Sequence, residues 1–412
     1  MRGGLARRRR WEAGRDPVLM IEQGGRGGVA DYTANLVGAL VAVGQPVEVV
    51  TAADHVFADG MGGARLHPIV RYLRPSSPMR RALRRAGLGP VANGLYFLAV
   101  LPRIAQLGRR CGLVHLQGGY PPLSAAAMLA WRALGVPVVY TPHNTFDRGQ
   151  QFGRLREVTD RLSARVIVHA QADLPQLEPS VAARAVVIPH GEYGGLARRG
   201  GRAQRAASRA ALGLPADATV VLLFGQLRPD KGVGDLLEAA REVEGLHVVL
   251  AGEELGGLEP SRELLDAPEL EGRVHVHARY LEMAEAAELF AAADAVALPY
   301  RQASQSGVLL LAYGFARPVV VYPVGGLPEA VEEGETGWVC DRADPGSLSH
   351  ALRAVVAAGP EECARRGARG EHLAATRFAW PEIARRTEEV YRHAAITAGP
   401  GRSTASSSTE GR

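Results

Sequence analysis

The stretch Thr219-Val-Val-Leu-Leu-Phe-Gly-Gln-Leu-Arg-Pro-Asp-Lys-Gly232, continuing into Val233-Gly-Asp-Leu-Leu-Glu-Ala-Ala-Arg241, settles the fold class. Thr219 to Phe224 is a short apolar run, as in a strand buried on both faces. Val233 to Arg241 reads as a helix. The loop between them holds Lys231, the only lysine among 48 Lys and Arg residues. A helix start presents free N–H groups and the positive end of the helix dipole, so a cation there is placed to meet an anion. Lysine meets phosphate as a compact point charge, and arginine as a planar fork. Arg228 lies three residues earlier. The plainer reading is a solvated loop charge.

Working outward, the same alternation continues downstream. Strands are expected at Leu246 to Ala251, Arg273 to His277, Ala295 to Leu298, Pro318 to Val321 and Gly337 to Cys340. Helices are expected at Met283 to Ala292, Val308 to Phe315 and Pro345 to Ala357. Upstream, Pro17 to Glu22 is a strand, Gln23 to Gly28 a glycine-rich loop, Val29 to Val43 a helix and Pro46 to Thr51 a strand. Further strands are expected at Gly112 to Gln117, Val136 to Thr141, Arg165 to His169 and Ala185 to Pro189, with a helix at Leu123 to Leu134. Strands alternating with helices call for mostly parallel sheets covered on both faces. The expected fold is α/β, with two Rossmann-like βαβ domains facing across a cleft. The divisions read from the sequence are a disordered basic arm (1–16), an N-terminal domain (17–193), a small, basic linker (194–216) and a C-terminal domain (217–375). A crossover helix (376–396) and a Gly/Ser/Thr-rich disordered tail (397–412) complete the chain.

Composition narrows the function. The 412 residues are 47% hydrophobic and 22% charged, enough to bury ordinary cores. Aromatic content of 6% argues against a base-stacking nucleic-acid binder, so no nucleic acid is expected as partner. Cys111, Cys340 and Cys363 form no CxxC pair, which disfavours a zinc site or a disulfide scaffold and fits a reducing cytoplasm. No signal peptide is seen. The apolar window Leu88 to Leu101 is interrupted by Gly, Pro and Asn and is too short to span a bilayer. Beside it, Arg80, Arg81, Arg84 and Arg85 recur at helical spacing. That pairing points to peripheral contact with an anionic membrane, or to a solvated helix face over a buried helix.

Four Gly- or Pro-marked loops follow strands, where ligands bind in open α/β sheets. Gly25-x-Gly27-x-x-Ala30 matches the dinucleotide pattern, but no acidic residue ends the next strand; Asp54 comes late, so a nicotinamide enzyme is the weaker reading. Thr141-Pro142-His143-Asn144 puts a histidine at a strand tip, as substrate contact or base, or as a capping or packing residue. His115 and His169 read as packing residues, and Pro189-His190-Gly191 as the turn out of the domain. Pro299 to Val308 ends in Ser306 and Gly307 at a helix start, able to receive a diphosphate. Val324 to Glu329 gives a further glycine turn. With Arg228 and Lys231, two cations and two helix starts share one rim, which predicts a bound nucleotide diphosphate.

These residues resemble the family 4 glycosyltransferases of the GT-B fold over about residues 17 to 395. The likeness is strongest at Phe224 to Gly232, Ala293-Asp294-Ala295 through Leu298-Pro299-Tyr300, Arg317 to Glu329, and Gly334-x-Thr336-Gly337. It implies transfer of a sugar from a nucleotide diphosphate sugar to a glycan, lipid-linked or small-molecule acceptor, with retention at the anomeric carbon. It implies no cofactor and no metal ion, the nucleotide sugar being a substrate, and a cytoplasmic site of action. Arg228 and Lys231 would neutralise the departing diphosphate, and His143 would lie near the donor sugar. Gly27 and Gly28 would allow close approach, and Gln305, Ser306, Gly307, Val308, Gly326 and Glu329 would bind the donor. The sequence departs from the family pattern in three places. Arginine is usual where Gln226 stands, and two glutamates are usual where Ala303 and Leu311 stand. Those departures keep open a second reading, a GT-B-like binding protein without transfer activity.

Overall fold

In the computed structural model, residues 11–57, 60–71, 89–119, 121–143, 153–199 and 204–397 are described. Residues 1–10 of the expected disordered arm (1–16), the tail after 397, the cluster Arg80, Arg81, Arg84 and Arg85, and Asn144 lie outside them, whereas residues 11–16 are folded onto the first domain, with Trp11 in its core. Seven strands form the first sheet: β1 (Val18–Glu22), β2 (Val47–Ala52), β3 (Arg65–Val70), β4 (Val114–Gln117), β5 (Val138–Thr141), β6 (Arg165–Val168) and β7 (Ala185–Val187). Six form the second: β8 (Thr219–Phe224), β9 (Leu246–Ala251), β10 (Val274–His277), β11 (Ala295–Leu298), β12 (Val319–Val321) and β13 (Gly337–Val339). The orders are β3-β2-β1-β4-β5-β6-β7 and β10-β9-β8-β11-β12-β13, and the pairings are parallel. Both orders reverse between two central strands, β1 beside β4 and β8 beside β11. At such a switch point the neighbouring loops diverge and leave a crevice at the carboxyl ends of the strands. The loops after β1, β4, β8 and β11 are therefore the ones aimed at a ligand.

The expected strands match within a residue or two, apart from β3, which the sequence reading did not contain. β3 is an edge strand with Arg65, His67 and Pro68, a pattern without apolar alternation. Its Pro68 is tolerated because an edge strand has one side unpaired. Of the apolar window Leu88 to Leu101, residues 89–101 fall in the helix Gly89–Cys111, which runs on through Pro102. Among the described residues no helix is long and apolar enough to cross a membrane.

The segment expected as a linker is helical, with helices Gly194–Arg199 and Arg205–Ala211. Arg209, 1% exposed, explains the docking. Its guanidinium donates to Asp294 at 2.7 Å and to the carbonyls of Ala292, Ala216 and Ala218 at 3.0, 2.9 and 2.7 Å.

The chain then crosses back. The helix Pro345–Arg377 bends at Gly359 (φ 69°), just before Pro360, and the last helix runs from Trp380 to Thr397. Its Trp380, Ile383, Ala384, Tyr391 and Ala394 join Val18, Tyr32, Leu36 and Leu40 in the core of the first domain. Two bonds tie the crossing strands together: Glu192 N–H to Phe378 O at 2.9 Å, and Trp380 Nε1–H to Glu192 O at 2.8 Å. Gly191 is required here, since a Cβ would stand 2.4 Å from the Trp380 ring.

Candidate active site

The loop after β8 is drawn tight against the end of β11. Gly232 adopts φ 72°, and a Cβ there would lie 2.0 Å from the Pro299 carbonyl oxygen. Only glycine accepts both the left-handed backbone and the close approach. The closure brings Lys231 Nζ to 3.6 Å from the centroid of the Tyr300 ring, a cation–π contact. Asp230 sits between the two cations. Arg228 grips it with Nε at 2.9 Å and Nη2 at 2.8 Å, and Lys231 Nζ stands 3.8 Å away. The Lys231 side chain keeps 20% of its exposure. Burial lowers its pKa to about 8; Asp230 opposes that shift and Arg228 adds to it. The loop thus carries a net positive charge that its surroundings only half compensate.

Tyr300 connects this loop to the next. It is buried, which pushes its phenol up to about 12 against an opposing hydrogen bond with Ser306. Ser306 is the N-cap of the helix Gly307–Gly314, its Oγ accepting from Leu309 N–H at 3.3 Å. The first N–H groups of a helix have no intrahelical partner, so Gly307 and Val308 present donors beside the two cations. A Cβ on Gly225 would meet Val308 at 3.4 Å, which fixes how closely the two loops approach. Arg228, Lys231, Ser306, Gly307 and Val308 are therefore brought together. Asp230 and Tyr300, which the sequence reading passed over, hold the group in place.

The remaining expected donor residues of the second domain line a neighbouring space, which Ser306 shares. Gln305, Ser306, Gly326 and Glu329 border a cavity of about 210 Å³ whose other walls include His169, His190 and Arg386. Neither Lys231 nor His143 lines it. Gln305 Oε1 is buried there with no hydrogen-bond partner. Both carboxylate oxygens of Glu329 are occupied, accepting from Gln171 N–H and Ala172 N–H of the first domain at 2.8 Å each.

On the first domain, Glu22 at the end of β1 shapes the glycine loop. Its carboxylate accepts from Gly24 N–H and Gly25 N–H at 2.7 Å each and from Thr51 Oγ1 at 3.1 Å. Burial raises its pKa, and those bonds oppose the shift. Gly25 (φ 66°) is a packing glycine: a Cβ would lie 2.9 Å from the Ala52 side chain. Gly27 and Gly28 differ, since a Cβ on either would meet nothing within 4 Å. The protein leaves the space above them open.

His143 stands at the end of β5 with φ 58°, an uncommon conformation for a residue with a Cβ. It belongs to a cluster. Its Nε2 lies 2.7 Å from Gln117 Oε1, and its Nδ1 lies 3.3 Å from His169 Nε2. The rings of His143, His169 and His190 surround Tyr32, with centroids 4.8, 5.0 and 4.8 Å away. Burial holds the three imidazoles below their ordinary pKa, His190 at about 3. His169, read from sequence as packing, bridges His143 and the Ile188 carbonyl (2.9 Å). Among the described residues, no group of three or more His, Cys, Asp or Glu is arranged to hold a metal ion.

A family model described as "Glycosyl transferases group 1" matches residues 218–358, and one described as "Glycosyl transferase 4-like domain" matches residues 27–175. The D-inositol 3-phosphate glycosyltransferase of Segniliparus rotundus is 30% identical over 388 residues, 88% of this chain and 83% of that protein. The chain belongs to the group 1 glycosyl transferases. The enzyme of the same name from Kineococcus radiotolerans is 35% identical over 260 residues, and the match spans 58% of its length. That from Saccharomonospora viridis is 39% identical, with 46% of its length matched. Among solved structures, Anabaena HepE in complex with UDP superposes with a TM-score of 0.70 at 20% identity, covering 90% of this chain and 98% of that one. The sucrose-phosphate synthase of Thermosynechococcus elongatus gives 0.71 at 22%, covering 93% and 100%. These neighbours bear out the two-domain GT-B fold.

In this chain the positions of the missing glutamates are built for packing. Leu311 is 6% exposed in the second-domain core. The carbonyl of Ala303 lies where a Cβ on Gly325 would come within 1.7 Å, so the 303–305 loop rests directly on the glycine turn. Gly326 N–H seals that contact, donating to Ser304 O at 2.9 Å.

Proposed function

We propose that this chain transfers a sugar, with retention, from a nucleoside diphosphate sugar bound on the second domain to an acceptor held by the first. The reading rests above all on one observation: Lys231 and Arg228 are joined, through Tyr300, to the helix start at Ser306-Gly307. As the bond from the anomeric carbon to the diphosphate oxygen breaks, negative charge collects on the diphosphate and the sugar becomes oxocarbenium-like. Cations and helix N–H groups fixed in advance around that charge stabilise it more as it develops, which is how such a site lowers the barrier. The acceptor oxygen forms the new bond, and its proton leaves with the diphosphate. Arg228, Lys231 and His143 are the proposed catalytic residues. Ser306, Gly307, Val308, Gln305 and Gly326 are the proposed donor contacts, and open Gly27 and Gly28 the face that closes over the donor. Residues 17–193 are the proposed acceptor-side unit and residues 217–375 the donor-side unit.

The acceptor class is a glycan, a lipid-linked sugar or a small molecule. The named relatives act on D-inositol 3-phosphate, which makes phosphorylated polyols the first small molecules to try. The proposed setting is the cytoplasm, with peripheral contact at an anionic membrane. Flotation with vesicles containing and lacking anionic lipid tests that contact, and no binding to either excludes it.

A donor screen tests the central reading. Binding and hydrolysis are measured across UDP-, GDP- and ADP-sugars, starting from UDP-glucose, which a fold neighbour holds in its crystal. Binding with turnover of one series is expected. Nucleotide binding without turnover or transfer supports the alternative, a binding protein, which Ala303 and Leu311 in place of carboxylates motivate. No binding in any series overturns both.

A further inference from the structure

The second domain touches the first beside the histidine cluster, and the contact is made of charge-assisted and hydroxyl hydrogen bonds. Glu329 accepts from Gln171 N–H and Ala172 N–H, both at 2.8 Å. Ser304 Oγ–H donates to Asp173 Oδ1 at 2.9 Å. The other oxygen of Asp173 turns back into its own turn, accepting from His169 N–H at 3.3 Å and Ala170 N–H at 3.0 Å. Gly326 lets the surfaces meet: a Cβ there would stand 2.4 Å from the Ala170 side chain. One short turn, His169 to Asp173, is therefore gripped by Ser304 and Glu329 on the other domain.

His169 begins that turn and is also the partner of His143. A carbonyl oxygen only accepts, so His169 Nδ1 donates to Ile188 O at 2.9 Å, and its Nε2 is a bare acceptor. That acceptor faces His143 Nδ1 at 3.3 Å, while Gln117 Oε1 faces His143 Nε2 at 2.7 Å. Two acceptors thus compete for the ring. Burial, with His169 and His190 nearby, keeps His143 neutral, so it has one N–H to give. Where His169 stands decides how the proton is shared between Nδ1 and Nε2.

We propose that Glu329 and Ser304, closing on Gln171 to Asp173, form an interdomain latch that sets the position and tautomer of His143 through His169. Glu329, Ser304, Asp173 and His169 are then positioning residues. The catalytic consequence rests on the function proposed above; the latch itself does not. When the domains part, His169 loses its external support and the His143 proton is no longer fixed on one nitrogen but is shared between Nδ1 and Nε2. When they close around a donor, the ring is held for it.

Two measurements on the full chain without any donor test this, so their failure is separate from failure of the donor screen. The first is amide hydrogen exchange. In Glu329→Gln the Gln171 and Ala172 amides are expected to exchange about tenfold faster, with Ser304→Ala as the second variant should the first not fold. Unchanged exchange overturns the latch. The second is nitrogen NMR of the chain labelled at histidine, with His143→Gln to assign the ring. One tautomer is expected to dominate in the wild type. In Glu329→Gln and Asp173→Asn the two His143 ring nitrogens should move toward averaged shifts. The His115 ring, held by Tyr391 and Thr141, should not move. Faster exchange with an unmoved His143 ring also overturns the proposal, because the contact would then be structural alone.

Discussion

Lys231 Nζ lies 3.6 Å from the centre of the Tyr300 ring, and the Tyr300 phenol is in turn influenced by Ser306, the N-cap of the next helix. Three residues from three loop positions thus form one unit. Its effect is to hold an ammonium group partly out of water beside free helix N–H groups. A cation kept poorly solvated before its ligand arrives has less hydration to lose on binding it.

Nucleotide affinity is expected to depend on that ammonium. With a pKa near 8, Lys231 is half deprotonated in the free protein at pH 8. A diphosphate binds the protonated form, so UDP affinity should fall about tenfold per pH unit above that point. The sign for folding is opposite. The lowered pKa makes this group's contribution to stability rise between pH 8 and an unfolded value of about 10.4. Calorimetric titration of UDP from pH 7 to 9.5 checks the first trend. Lys231→Ala should fold, bind UDP weakly at every pH and lose most transfer activity. A slope identical to that of the wild type would remove Lys231 from the site.

Gly232→Ala should be far more damaging than its size implies. The added Cβ meets the Pro299 carbonyl at 2.0 Å in a backbone conformation with φ 72°. The left-handed conformation alone costs about 1–2 kcal/mol for a residue with a Cβ. The loop must therefore shift, carrying Lys231 off the Tyr300 ring. Thermal unfolding and UDP binding, measured together, should both fall. A variant with wild-type UDP affinity would show that the tight loop is not what places the lysine.

What was legible in the sequence follows range of interaction. Buried parallel strands announce themselves as apolar runs, and β8 and β11 were read to the residue. The grouping of Arg228 and Lys231 with the Ser306-Gly307 helix start was legible too, because these residues lie in loops whose place at strand ends follows from the alternation. β3 was not, since Arg65, His67 and Pro68 carry an edge strand through pairing with β2 alone. Nor was the helix around Arg209, which depends on Asp294 and the Ala292 carbonyl, both distant in sequence. The histidine cluster left a signal that went unused. His143, His169 and His190 each stand just past the end of consecutive strands β5, β6 and β7, and parallel neighbours bring such positions together. Glu329 was expected to bind the donor, and its place at the domain contact could not be read, because its partners are two backbone amides on the other domain.

Trp380→Ala should loosen the return of the chain to the first domain. The indole donates to Glu192 O at 2.8 Å and packs 5.4 Å from Tyr32, centroid to centroid. Truncating a buried tryptophan costs about 3–5 kcal/mol, with the lost bond included. Denaturant unfolding should show that loss, and the Tyr32 ring should become mobile by NMR. A loss below about 1 kcal/mol would mean that the last helix docks without this anchor.

The histidine cluster should make the protein acid-labile well above the range where carboxylates protonate. His115 and His190 are pushed down to about 3 by burial, with His169 acting in the same direction. His143 and His169 are lowered as well. Unfolded, each ring takes a proton near pH 6.5. Because the folded values are depressed, the neutral rings contribute stability that is complete above about pH 6.5 and is lost as pH falls toward 3. Each ring that protonates only on unfolding steepens the loss by about 1.4 kcal/mol per pH unit. Melting temperature followed from pH 7.5 to 4.5 should therefore fall continuously, with proton uptake on unfolding visible by calorimetry. His115 accounts for a separable share, because its two ring nitrogens are held by hydroxyls of their own, Tyr391 and Thr141 at 2.7 and 2.8 Å. In His115→Gln, which cannot protonate but can still bond both hydroxyls, the slope should drop by about one proton. A melting temperature flat down to pH 4.5 would show that these rings already carry charge, or exchange with solvent, in the folded protein.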